Sequence, residues 1–110
     1  MLIYKIFRAD EWVQLQADGE TDGAPIDIAD GYIHFSTAQT VRETAEKYFS
    51  GEEGLALLAV EADTLAPLRW EPAREGVLFP HLYRKLRMAD VAWCKPLPVV
   101  AGKHLFPGLT

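Results

Sequence analysis

Two histidine-bearing runs hold the residues best suited to chemistry. The first is Gly31-Tyr32-Ile33-His34-Phe35-Ser36-Thr37-Ala38-Gln39, which alternates like a strand and then reads as a helix start. Alternation puts Ile33 and Phe35 on one face and Tyr32, His34 and Ser36 on the other. The apolar pair suits a core, so His34 points to a polar face. Ser36 stands where a helix N-cap belongs, with Gln39 three residues on, and the spacing predicts a helix through Phe49. His34 would then lie beside free backbone N–H groups, that of Thr37 among them, a setting for an anionic or hydroxyl-rich ligand. Blander readings stay open: capping alone explains Ser36, and a lone histidine is often just hydrogen-bonded near the surface.

The second run is Phe79-Pro80-His81-Leu82-Tyr83. If extended, it places Phe79, His81 and Tyr83 on one face, a wall able to stack on a ring and hydrogen-bond to it. The alternative is that Phe79 and Tyr83 are core and His81 a satisfied neighbour. Glu71, between Trp70 and Pro72, is the candidate carboxylate, as general base or acceptor for ribose hydroxyls. A surface ion pair with Arg69 or Arg74 is the competing reading. Both histidines face away from their apolar neighbours, so they are expected on one concave surface. No Ser-His-Asp order, phosphate-binding loop or Gly-rich dinucleotide fingerprint occurs.

The elements that must position these residues follow from the rest of the chain. Its 110 residues imply one domain, residues 1–110, able to bury a core without staples. A net charge of −5 argues against a nucleic-acid surface. The basic cluster Arg84, Lys85 and Arg87 reads as solvated surface around a turn. The single cysteine, Cys94, makes no internal disulfide and belongs to no metal-binding spacing. No leader or membrane-spanning run is evident, so the expectation is a cytoplasmic protein without a membrane partner.

Leu2–Phe7, Tyr32–Phe35, Leu55–Val60, Leu68–Glu71 and Met88–Lys95 read as strands. Leu55–Val60 is apolar throughout and is expected to be covered on both faces. Pro80 excludes a simple central strand over Val77–Tyr83 and points to an edge, a bulge or a loop entry. Helices are expected from Asp10 to a cap at Gly19 and from Ser36 to Phe49, with a loop over Glu20–Asp30. Pro96 and Pro98 should end the last strand, leaving an irregular tail. The sum is an α+β domain with two N-terminal helices and a twisted, mixed or mostly antiparallel sheet.

The segments Leu2–Ile6, Glu11-Trp12, Gly31–Gln39, Leu68–Glu71 and Phe79–Tyr83 together resemble a family of small bacterial proteins known as domain of unknown function 952. In layout that family is similar to the ADP-ribosyltransferase superfamily, whose split sheet clasps NAD. The resemblance implies an ADP-ribosyltransferase-like fold and an NAD-like or ADP-ribose-like ligand. It puts Lys5 on the pyrophosphate, His34 on the ribose or the nicotinamide end, and Tyr83 as a stacking ring. Glu71 or His81 takes the third position.

Three function classes compete. One is an enzyme or binder for such a nucleotide. Another is a phosphoesterase, because His34-x-Ser36 and His81-x-Tyr83 resemble paired His-x-Thr/Ser motifs in which two histidines act as acid and base. The third is a module that binds a small molecule without chemistry. A zinc site from the two histidines and Glu71 is not compelled by spacing.

Overall fold

The computed structural model describes residues 1–109, with Arg74 through its backbone alone. Leu2–Phe7 forms β1. Helix α1, Ala9–Asp18, follows; its Glu11 carboxylate accepts from the Arg8 N–H at 2.7 Å, and Gly19 closes it in the left-handed conformation. Trp12 and Leu15 turn inward, as the apolar stripe requires.

Next come β2 (Glu20–Thr21), α2 (Pro25–Asp30), β3 (Ile33–His34) and α3 (Val41–Phe49). The remaining strands are β4 (Leu55–Glu61), β5 (Leu68–Pro72), β6 (Leu78–Leu82), β7 (Leu86–Arg87), β8 (Val91–Leu97), β9 (Val99–Val100) and β10 (Lys103–His104).

Two three-stranded antiparallel sheets make the frame, β1-β4-β8 and β3-β6-β5. In β4, Ala56, Leu58 and Val60 face one apolar cluster while Leu55, Leu57 and Ala59 face another. The strand is therefore covered on both faces, as its unbroken apolar run predicts. The first cluster takes Ile33 and Leu82 from the second sheet and Phe35 from the residue after β3, and the other takes Val41 and Ala45 from α3. Where the segment after β3 leaves the second sheet, Ser36 bridges to Tyr4 of β1, each N–H bonding the other's carbonyl at 2.8 Å. One stretch of chain thus joins the sheets, and a cleft opens beside the junction.

Four expectations need correction. The Glu20–Asp30 loop contains α2, so there are three α-helices among the described residues rather than two. Ser36 is not a helix cap: it lies in the bridge to β1, residues 38–40 form a turn, and α3 starts at Val41. Pro80 lies within β6, the central strand of its sheet, not at an edge. Its carbonyl accepts from Phe35 N–H, and the donor it lacks faces the residue where the neighbouring chain departs for Tyr4, so little pairing is lost. Finally, β8 runs through Pro96 to Leu97, and the tail carries the β9–β10 hairpin.

Candidate functional site

The cleft has a volume of about 690 Å³, within the range of small-molecule sites. Lys5, His34, Ser36 and His81 are among its walls, together with Tyr32 and Phe79. His34 and His81 are directly opposed in the β3–β6 register, so the strand pairing itself brings the two motifs together. Their ring centroids are 5.2 Å apart. Tyr32 packs on both, with centroids 4.7 Å from His34 and 4.3 Å from His81, and it reaches the Tyr83 ring at 5.2 Å.

Each histidine is backed by a carboxylate. His81 Nδ1 lies 2.8 Å from Glu71 Oε1, which also accepts from the Tyr83 hydroxyl at 2.6 Å. Those two bonds, Tyr83's first, hold the Glu71 carboxyl below its usual range, and the same bond pushes the Tyr83 phenol up. Arg69 lies over the Tyr83 ring at 5.2 Å. Pairing of Glu71 with Arg74 lies outside the described side chains. With Nδ1–H given to Glu71, a neutral His81 presents an Nε2 lone pair, and no described residue is bonded to that atom.

His34 is gripped more fully. Its Nδ1 is 2.6 Å from Asp27 Oδ1 and its Nε2 is 3.0 Å from Asp30 Oδ2. Both bonds form together only when the ring carries both protons. Asp27 is buried, and its carboxylate also bonds Lys5 Nζ at 2.7 Å and the Ala24 N–H at 2.8 Å. Burial opposes ionisation of Asp27, but the His34 ring and the Lys5 ammonium outweigh it and hold the carboxyl below its usual range. Burial pushes the Lys5 ammonium down, against the pull of Asp27.

Lys5 therefore does not reach toward a ligand phosphate as expected. It is 7% exposed, ion-paired with Asp27 and donates to the His34 carbonyl at 2.8 Å. The anion site expected after Ser36 has no helix end there to form it, because α3 begins only at Val41. The Thr37 N–H donates to Thr40 Oγ1 at 2.9 Å, and the Ser36 hydroxyl pairs with that of Thr44 at 2.9 Å. Thr37, Glu71 and Tyr83 are not among the described cleft walls; Glu71 reaches the site through its bond to His81, and the Tyr83 hydroxyl holds Glu71.

Sequence reasoning missed Asp27 and the packing role of Tyr32. A signal for Asp27 was present. Pro25 at the first helical position and Gly31 after the last mark a short helix, with Asp27 at the position where a carboxylate caps the Ala24 N–H. Within the basic cluster, Arg84 makes a two-pronged pair with Asp90 at 2.8 and 3.1 Å, and Lys85 lies 3.4 Å from Asp22. Among the described residues no group of three His, Cys, Asp or Glu side chains is placed to hold a metal ion. No described helix is long and apolar enough to cross a membrane.

These features define a small α+β domain with a cleft beside the junction of two antiparallel sheets, floored by two carboxylate-backed histidines. The chain belongs to the family described as protein of unknown function (DUF952), whose profile matches residues 6–94. It is similar to the crystal structure of protein CC0527 from Caulobacter crescentus, with 44% identity, a TM-score of 0.91 and coverage of 96% of this chain and 94% of that one. The solution NMR structure of the same Caulobacter protein aligns at 44% identity and a TM-score of 0.84, covering 94% of this chain and 90% of that one. No curated protein sequence matches the chain.

Proposed function

We propose that the domain is ADP-ribosyltransferase-like and that its cleft takes an NAD-like nucleotide, nicotinamide riboside end first. The observation that carries this reading is the cluster of Tyr32 with His34 and His81, bounded by the carboxylates of Asp30 and Glu71. An oxidised nicotinamide is a flat, cationic ring. An aromatic face attracts it, and nearby carboxylates favour its charge. Ribose hydroxyls suit His34 and Asp30 at the same spot. The phosphates belong at the rim, where the half-exposed Arg8, held by Glu52 at 2.8 Å, lines the cleft. In a transfer, the bond from ribose C1′ to the nicotinamide nitrogen breaks and neutral nicotinamide leaves. An acceptor hydroxyl adds at C1′ and gives its proton to His81 Nε2.

The side-by-side histidines also favour a phosphoesterase, but the charges beside them oppose it. A phosphodiester held by the two histidines would meet the Asp30 carboxylate on the cleft wall and compete with the Glu71 carboxylate bonded to His81, and the buried cation beside them, Lys5, is already bound to Asp27. Calorimetric titration with NAD, its reduced form, ADP-ribose and a 2′,3′-cyclic nucleotide separates these readings. NAD is expected to bind tighter than the reduced form, which lacks the ring charge. Release of nicotinamide, followed by chromatography, then distinguishes an enzyme from a binding module. No heat with NAD at millimolar concentration would end the nucleotide reading.

A further inference from the structure

We infer that Asp27 is the positioning residue of this site: it fixes His34 with Nδ1 protonated and turned inward, so that Nε2 is the atom offered to the cleft, and Lys5 holds Asp27 in turn. The inference deepens the nucleotide reading, on which only its ligand measurement rests.

The argument is one of donors and acceptors. The Asp27 carboxylate is approached by Lys5 Nζ, the Ala24 N–H, the His34 N–H and His34 Nδ1, at distances from 2.6 to 3.0 Å. The first three can only donate. An ionised carboxylate can only accept, so the proton of the shortest of these contacts must sit on Nδ1. Residue 34 is therefore held at three points. Its N–H and its ring bond the same Asp27 oxygen, and its carbonyl accepts from Lys5 at 2.8 Å. Which nitrogen of an imidazole faces a ligand is set by the hydrogen bond made by the other.

On the outer side, Asp30 occupies Nε2 from the same short helix. Asp30 is 41% exposed at its side chain, whereas Asp27 is fully buried. A ligand hydroxyl arriving at His34 therefore competes with Asp30 and leaves the Asp27 bond in place. Asparagine cannot replace Asp27 here. It offers one oxygen where two are used, and its amide would direct hydrogens at groups that also donate.

The test is the imidazole nitrogen spectrum of the full chain labelled with ¹⁵N-histidine, recorded at alkaline pH so that the rings are neutral. Assignment comes from single His→Gln variants. In the wild type, His34 is expected to carry its proton on Nδ1. In Asp27→Asn the population should move toward Nε2–H, and NAD affinity should fall about tenfold, the effect of losing one charge-assisted hydrogen bond. A wild-type ring protonated on Nε2, or an Asn variant with an unchanged spectrum, overturns the inference. If Asp27→Asn does not fold, Lys5→Met combined with Asp27→Asn removes the stranded ammonium and should show the same tautomer change. If NAD fails to bind the wild type, the nucleotide reading falls, and the tautomer still decides the role of Asp27.

Discussion

His34 and His81 are direct cross-strand partners, yet they are held to different depths: the side chain of His34 is 31% exposed and that of His81 is 4% exposed. The two substitutions should separate accordingly. His81→Ala empties space beneath Tyr32 and strips Glu71 of a partner, and it should cost about 2–4 kcal/mol of stability. His34→Ala leaves Asp27 with Lys5 and two backbone donors, so about 1 kcal/mol is expected. Denaturant unfolding measures both. Equal losses would mean that the depth difference has no energetic meaning.

The Lys5–Asp27 pair should behave as a unit. Removing either partner strands a buried charge, so Lys5→Met and Asp27→Asn are each expected to cost about 3–5 kcal/mol. The double variant should cost clearly less than the sum, because it strands neither. A double-mutant cycle by chemical denaturation reads the coupling, and strict additivity would show that the two groups do not depend on each other.

Acid should unfold the protein through the same carboxylate. The folded pKa of Asp27 lies below its unfolded value of about 3.9. Its contribution is thus complete above that value and is lost as pH falls through the lower, folded pKa. Glu71 is shifted in the same direction and adds to the slope. Stability measured from pH 6 downward should fall more steeply for the wild type than for Lys5→Met/Asp27→Asn. Parallel curves would remove Asp27 from the acid response.

Gly23 should be far less replaceable than Gly19. Both have positive φ, +100° and +77°, but a Cβ on Gly23 would sit 2.3 Å from Asp27 Oδ2, while one on Gly19 meets nothing within 4 Å. Gly19→Ala is expected to cost about 1–2 kcal/mol from backbone strain alone. Gly23→Ala must also displace Asp27, and about 3–5 kcal/mol is expected, as for a broken buried pair. Matched melting curves for the two variants would expose any error in this ranking.

The long periodic runs were readable because burial writes directly into them. Leu2–Phe7 and Leu55–Val60 announce strands, and the alternation from Tyr32 to Ser36 sends Ile33 and Phe35 into the core with His34 outward. The failures were local signals overruled by distant partners. Ser36 has the chemistry of a cap, but the backbone of Tyr4 claims it for a bridge. Pro80 is a poor central-strand residue, tolerated because its neighbour is leaving the sheet. Lys5 looks like a free cation until Asp27, 22 positions away, is seen against it. Asp27 itself sits in six helical residues too short to give a periodic signal.

The bridge between Tyr4 and Ser36 has a mechanical meaning. It is a seam of two hydrogen bonds that ties one sheet to the other at the side of the cleft. Any breathing of the cavity that parts the sheets has to load those two bonds. The amides of Tyr4 and Ser36 are therefore natural strain gauges. Their exchange with deuterated solvent should slow when a ligand spans both walls and stay unchanged when a ligand rests on one.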